Sequence, residues 1–141
     1  IYDIDKLVKN KEFDLAVIRG VLHHLYSPKE AIKHISNTFP SVIVLEPNGY
    51  NPILKIIENT SSYHKEHEEK SYWPPLLNQW FEKQGYRVLY QKFFGLVPYF
   101  CPDNIAKFLK SIEVFLEEII FLNKLFCGTN LILYRKSFSH D

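Results

Sequence analysis

The sequence has no methionine in its 141 residues, two cysteines, and five glycines, no two of them spaced as a G-x-G. The missing methionine, initiator included, leads us to expect a piece of a longer protein. Cys101 and Cys127 stand far apart and form no C-x-x-C, which argues against a disulfide framework or a cysteine metal site. They fit two small apolar side chains in a reducing, cytoplasmic setting. Excess charge is also lacking: 17 basic against 16 acidic side chains give +1, without the footprint of a nucleic-acid binder. No run of about 18 uncharged apolar residues occurs, so no transmembrane helix is expected. The nearest approach, Ile112 to Phe126, is interrupted by Glu113, Glu117, Glu118 and Lys124. No basic start followed by an apolar stretch marks a secretory signal.

What is present is a chain with 46% hydrophobic residues, enough for the core of one domain. Its most informative stretch is Phe13-Asp-Leu-Ala-Val-Ile-Arg-Gly-Val-Leu-His-His-Leu25. Leu15 to Ile18 reads as a buried strand, broken at Gly20 before the pair His23-His24. A strand that stops at a glycine and then presents polar side chains suits the carboxyl edge of a parallel sheet, where ligands bind. Ser27-Pro-Lys-Glu30 predicts a helix start with a capping box, and Ala31, Ile32, Ile35 and Phe39 form its apolar stripe up to Pro40. Ser41 to Leu45 is a second strand, ending in Glu46-Pro-Asn-Gly49. Strand, helix and strand make a βαβ unit, so the two strands should run parallel.

Asn51-Pro52 predicts the cap and first position of another helix, which runs into a polar stretch, 61–70. Residues 51–73 are thus an inserted helix and polar loop. Pro74 to Gln84 carries Leu76, Leu77, Trp80 and Phe81 on one face, with Gly85 where a left-handed C-terminal residue belongs. Tyr86 to Phe94 is a third strand. From Pro102 the residues Ile105, Phe108, Leu109, Ile112, Phe115, Leu116, Ile119 and Ile120 form the most regular helical stripe, predicting one helix to Leu122. Residues 95–127 are therefore a helical insertion, read either as a core-facing helix or as a lid over a hydrophobic acceptor, with Phe94, Leu96, Tyr99 and Phe100 adding apolar surface. Gly128 to Arg135 is the last strand. The whole of 1–141 makes one domain.

These motifs, in this order, resemble the class I S-adenosylmethionine-dependent methyltransferases that act on small molecules. Phe13-Asp14-Leu15, Leu22-His23-His24-Leu25, Glu46-Pro47-Asn48, Gln84-Gly85-Tyr86-Arg87-Val88 and Leu131 to Lys136 carry the resemblance. It implies an α/β, partial Rossmann-like methyltransferase fold: a parallel βαβ followed by a C-terminal antiparallel strand, with a helical insertion before the last strand. The family's glycine-rich cofactor turn and ribose-binding acid would lie before Ile1, so the chain resembles the C-terminal half of the domain. Asp3 and Asp5 are candidates for the adenine-side acid. Losing the first strands would leave Leu15 to Ile18 as an apolar edge, through which self-association is expected.

The resemblance implies that Ile18, Arg19, Gly20 and Val21 line the methionine end of S-adenosylmethionine, with backbone groups making most of the bonds. His24 is the candidate general base, with a reference pKa of about 6.5. His23 is read on the substrate side. Two adjacent residues of a regular backbone cannot both face one pocket, and the resemblance also implies a structural or cofactor-side role for the second histidine. Glu46 and Asn48 either bind the acceptor or hold the following turn. His64, Glu66, His67 and Glu68 have helical metal-ligand spacing, but without an apolar stripe or a third ligand they read as a solvated face, and no metal is expected. The function implied is methyl transfer to a small acceptor. The alternatives are a non-catalytic half-domain acting as an interaction module and another doubly wound enzyme using a nucleotide cofactor.

Overall fold

β-Branched residues pair as two parallel strands, β1 (Leu15–Arg19) and β2 (Ser41–Pro47), with Leu15 opposite Ser41 and Arg19 opposite Leu45. The coordinates are a computed structural model describing residues 1–8, 13–60, 70–97 and 103–137. The crossover between the strands is α2 (Pro28–Thr38), against which the short α1 (Ile4–Leu7) packs. Pro28 sits in the first turn, as its fixed φ favours. The expected capping box is not made: Ser27 caps no N–H with its side chain, and its own N–H goes to the Tyr2 hydroxyl at 3.2 Å.

Two further strands, β3 (Tyr86–Phe94) and β4 (Thr129–Lys136), complete a sheet of order β1-β2-β4-β3 in which β4 is antiparallel to both neighbours. The partial Rossmann-like α/β fold expected from the sequence is therefore present. Period-two alternation assigns each strand residue a face. Ile18, Val42, Val44, Ile132 and Tyr134 point to one side and are buried by α2 and by α4 (Pro74–Glu82). There Phe81 stacks on Tyr134 with ring centroids 4.0 Å apart, and the Tyr134 hydroxyl donates to Asn78 Oδ1 at 2.7 Å. Each such side chain contributes about 1.5–3 kcal/mol by leaving water.

The opposite face is far less covered. Leu15 and Val17 of β1 are 43% and 63% exposed, and Ile43, Leu45, Leu131 and Leu133 are only half-buried. β1 is also the end strand of the sheet, so its outer edge has no neighbour among the described residues.

The sequence-predicted helix from Pro102 to Leu122 is two helices, α5 (Asp103–Glu118) and α6 (Ile120–Phe126), separated by an extended Ile119. The Asn123 side chain donates to the Glu117 carbonyl at 2.9 Å and so satisfies a last-turn carbonyl of α5. The apolar stripe is only partly covered: Ile105, Phe108, Phe115 and Ile120 are 52–73% exposed, while Leu109, Ile112, Leu116 and Ile119 are half-buried. Carboxylates also hold α5: Glu113 accepts the Leu96 N–H and Glu117 the Gly95 N–H, each at 3.0 Å. Tyr99 and Phe100 lie outside the described residues, as does the whole His64 to Glu68 run. Among the described residues no helix is long and apolar enough to cross a membrane.

Candidate active site

β1 and β2 end side by side, and the chain leaving β1 is shaped by one glycine. Gly20 turns with φ of +60°, which a residue with a Cβ adopts only at a cost. Its N–H donates to the Leu45 carbonyl at 2.8 Å, so the turn stays attached to β2. A single 3-10 turn, Leu22–His24, follows and places the His23 and His24 rings 3.9 Å apart. This irregular backbone is why the adjacent histidines lie together rather than on opposite faces.

Glu46 holds the turn. The pleat of β2 puts its side chain on the covered face, 2% exposed. Oε1 accepts the N–H groups of Val21 at 2.9 Å and Leu22 at 2.8 Å. Oε2 accepts the His23 N–H at 3.3 Å and lies 2.6 Å from His23 Nδ1. A carboxylate buried without donors would cost several kcal/mol, whereas donors of this kind make charge-assisted bonds stronger than neutral ones. The Tyr72 hydroxyl braces the same turn by donating to the Leu22 carbonyl at 3.4 Å. Burial, then the Glu46 charge and Tyr2, raise that hydroxyl above its ordinary value.

The neighbouring turn is tied down just as firmly. Asn48, fully buried, donates from Nδ2 to the carbonyls of Lys124 and Cys127, both at 2.8 Å, and accepts the Tyr50 N–H at 3.0 Å. Asn51 caps α3 (Pro52–Thr60), accepting the Ile53 N–H at 2.9 Å, while its amide reaches Phe126 and Cys127. The two asparagines thus join the exit of β2 to the end of α6. Beside them Tyr50 meets Trp73 edge-on at 6.1 Å and Phe93 at 5.8 Å, forming an aromatic rim on the same edge.

The structure therefore brings Val21, Leu22 and His23 into one bonded unit with Glu46, and ties the adjacent Gly20 to Leu45. Ile18 points into the core, 4% exposed, so only its backbone faces the edge, while Arg19 and His24 are exposed. Of the four residues expected to line a cofactor, Gly20 and Val21 have their N–H groups engaged within the fold, with Leu45 and Glu46 respectively. Asp3 bonds Lys6 at 2.6 Å in solvent. Sequence reasoning missed Tyr50, Tyr72 and Trp73, and it gave Gly49 only as the last residue of the segment that ends the second strand. A Cβ at Gly49 would lie 2.2 Å from the Tyr72 carbonyl oxygen, so that glycine lets two segments touch. Among the described residues no group of three His, Cys, Asp or Glu side chains is arranged to hold a metal ion.

No family model matches the sequence, and no curated protein matches it significantly. Solved structures do match the fold. A SAM-dependent methyltransferase from Archaeoglobus fulgidus superimposes with a TM-score of 0.60 at 18% identity, over 96% of this chain and 64% of that one. A protein from Galdieria sulphuraria proposed to be a sarcosine dimethylglycine methyltransferase gives 0.54 at 15%, over 89% and 54%. The small RNA methyltransferase HEN1 gives 0.53 at 17%, over 93% of this chain and 14% of its own. The chain thus spans under two thirds of the length of each. The four strands of the described residues and their flanking helices are a partial, Rossmann-like SAM-dependent methyltransferase fold.

Proposed function

We propose that this chain is the carboxyl-terminal half of an S-adenosylmethionine-dependent methyltransferase domain acting on a small-molecule acceptor. The observation that carries this reading is the carboxyl edge itself. A left-handed glycine ends β1, and two histidines and a buried carboxylate follow at one point of a sheet with the methyltransferase strand order. S-adenosylmethionine supplies an electrophilic methyl group: the acceptor's lone pair takes it as the carbon–sulfur bond breaks, and the acceptor loses a proton. Catalysis of such a transfer is mostly proximity and orientation.

The residues present fit part of that cofactor. Gly20 leaves open space, the nearest atom to a Cβ there being His23 Cε1 at 3.8 Å, so the methionine end can approach Arg19, Gly20 and Val21 closely. Glu46 is committed to the turn and is not offered to ribose hydroxyls. The ribose-binding acid is expected from the half of the domain that precedes Ile1. The exposed Trp73 and half-buried Tyr50, backed by the buried Phe93, support an acceptor with an apolar part.

The test is transfer of labelled methyl from S-adenosylmethionine, by the protein carrying the coding sequence upstream of Ile1, to pools of small amines, hydroxy acids and RNA. Label in the small-molecule pools is expected. Label confined to RNA, or none at all, overturns the reading. A second reading, a non-catalytic half-domain that pairs through its sheet, is favoured by the exposed apolar residues Leu15 and Val17. An in-frame start codon close to Ile1 would favour it over the enzyme.

A further inference from the structure

Glu46 is placed to do more than hold a turn. A carboxylate accepts hydrogen bonds and donates none, and three backbone N–H groups already point at its two oxygens. With Glu46 ionised, the ring nitrogen 2.6 Å from Oε2 carries the hydrogen of that contact. We propose that Glu46 and His23 form a carboxylate–imidazole dyad: Glu46 fixes His23 with its proton on Nδ1, leaving Nε2 as the proton-accepting nitrogen at the carboxyl edge. Its use in catalysis rests on the methyl-transfer reading, in which the proton that the acceptor loses on methylation passes to Nε2.

Three features support the dyad beyond the single contact. The carboxylate that grips the ring also grips the backbone of the residue bearing it and of the two before it, so ring and main chain are referenced to one group. The side chains are enclosed, 13% exposed for His23 and 1% for Glu46, so water competes weakly for the bond. His23 Cε1, which lies between the two ring nitrogens, would be 3.8 Å from a Cβ at Gly20, so the ring borders the position that the methyl-transfer reading gives to the methionine end of the cofactor. When Nε2 gains a proton the imidazole becomes a cation, and the Glu46 charge lies against it. A carboxylate behind a histidine sets both its tautomer and the stability of its protonated form. Glu46 is then a positioning residue acting through His23, and His23 rather than His24 becomes the general base.

The dyad is tested by proton–nitrogen correlation NMR of the imidazole rings in this chain, at a pH where His23 is neutral. The expected result is a protonated Nδ1 and a bare Nε2 for His23. In Glu46→Gln the side-chain oxygen can still accept from Val21 and Leu22, while its NH2 now faces Nδ1. The proton should therefore move to Nε2, with the Val21 and Leu22 amide signals retained. A wild-type His23 protonated on Nε2 overturns the proposal, as does a Glu46→Gln protein that keeps the Nδ1 proton. If that variant does not fold, the wild-type spectrum alone decides. The spectrum requires no cofactor, so failure of the dyad is distinguishable from failure of the methyl-transfer reading, which the labelled-methyl assay reports.

Discussion

Gly49→Ala is the substitution that this architecture penalises most clearly. The new Cβ would lie 2.2 Å from the Tyr72 carbonyl oxygen, 2.5 Å from the Tyr72 carbonyl carbon and 2.8 Å from the Trp73 nitrogen. All three are backbone atoms, so no side-chain rotation relieves the overlap. Unstrained contacts begin near about 3.5 Å, so the Tyr72–Trp73 segment must retreat by roughly 1 Å. Overpacking of this kind costs about 1–3 kcal/mol, and the upper end is expected because main chain has to move. The retreat also draws the Tyr72 hydroxyl away from the Leu22 carbonyl and separates Tyr50 from Trp73. Against a stability of about 5–15 kcal/mol, a loss of about 3 kcal/mol lowers the melting temperature by roughly 10 °C at this chain length. Thermal unfolding followed by circular dichroism measures the loss. Tryptophan fluorescence in a Trp80→Phe background isolates Trp73. An alanine variant that melts together with its parent and leaves the Trp73 emission unchanged would refute the reasoning.

Two buried acids set an alkaline limit. Burial, then the Glu117 and Glu113 charges, pushes the Cys127 thiol from 9.0 up to about 11, and burial pushes the Tyr86 hydroxyl from 10.0 up to about 12. The unfolded chain releases these protons first, so the stability is complete below about pH 9 and is lost between pH 9 and 12, by about 3 kcal/mol for each group. Denaturant midpoints that stay level across that window would contradict this. At the sheet edge, Val17→Lys should cost under about 0.5 kcal/mol, because the position is 63% exposed. It should nevertheless shift the chain from oligomer to monomer in analytical ultracentrifugation, since a charge on an open edge blocks strand pairing. A parent chain already monomeric at high concentration would remove the basis for that expectation.

How much of this could be read from the sequence depended on how local the cause was. Leu15 to Ile18 and Ser41 to Leu45 announced their strands through β-branched runs, and Asn51-Pro52 announced a cap that the structure makes. Ser27 to Glu30 carried an equally clear cap signal, yet the Ser27 N–H went to Tyr2, whose approach no local pattern encodes. The stripe from Ile105 to Ile120 kept most of its helical period but left half its residues exposed, because period gives a face and not what covers it. Glu46 was marked as a site residue. That it bonds Val21, Leu22 and His23 follows from strand register, which joins residues more than twenty positions apart. Gly49 looked like any turn glycine because its reason, the Tyr72 backbone, lies across the fold.

On the proposed reading, this chain forms one wall of an S-adenosylmethionine site and needs a further part of the domain to complete it. Calorimetric titration of S-adenosylmethionine tests it most directly, run on this chain and on the protein that includes the upstream coding sequence. The account predicts little or no binding heat for the chain and a saturable isotherm for the longer protein. Tight binding by the chain alone, or no binding by either, would contradict it.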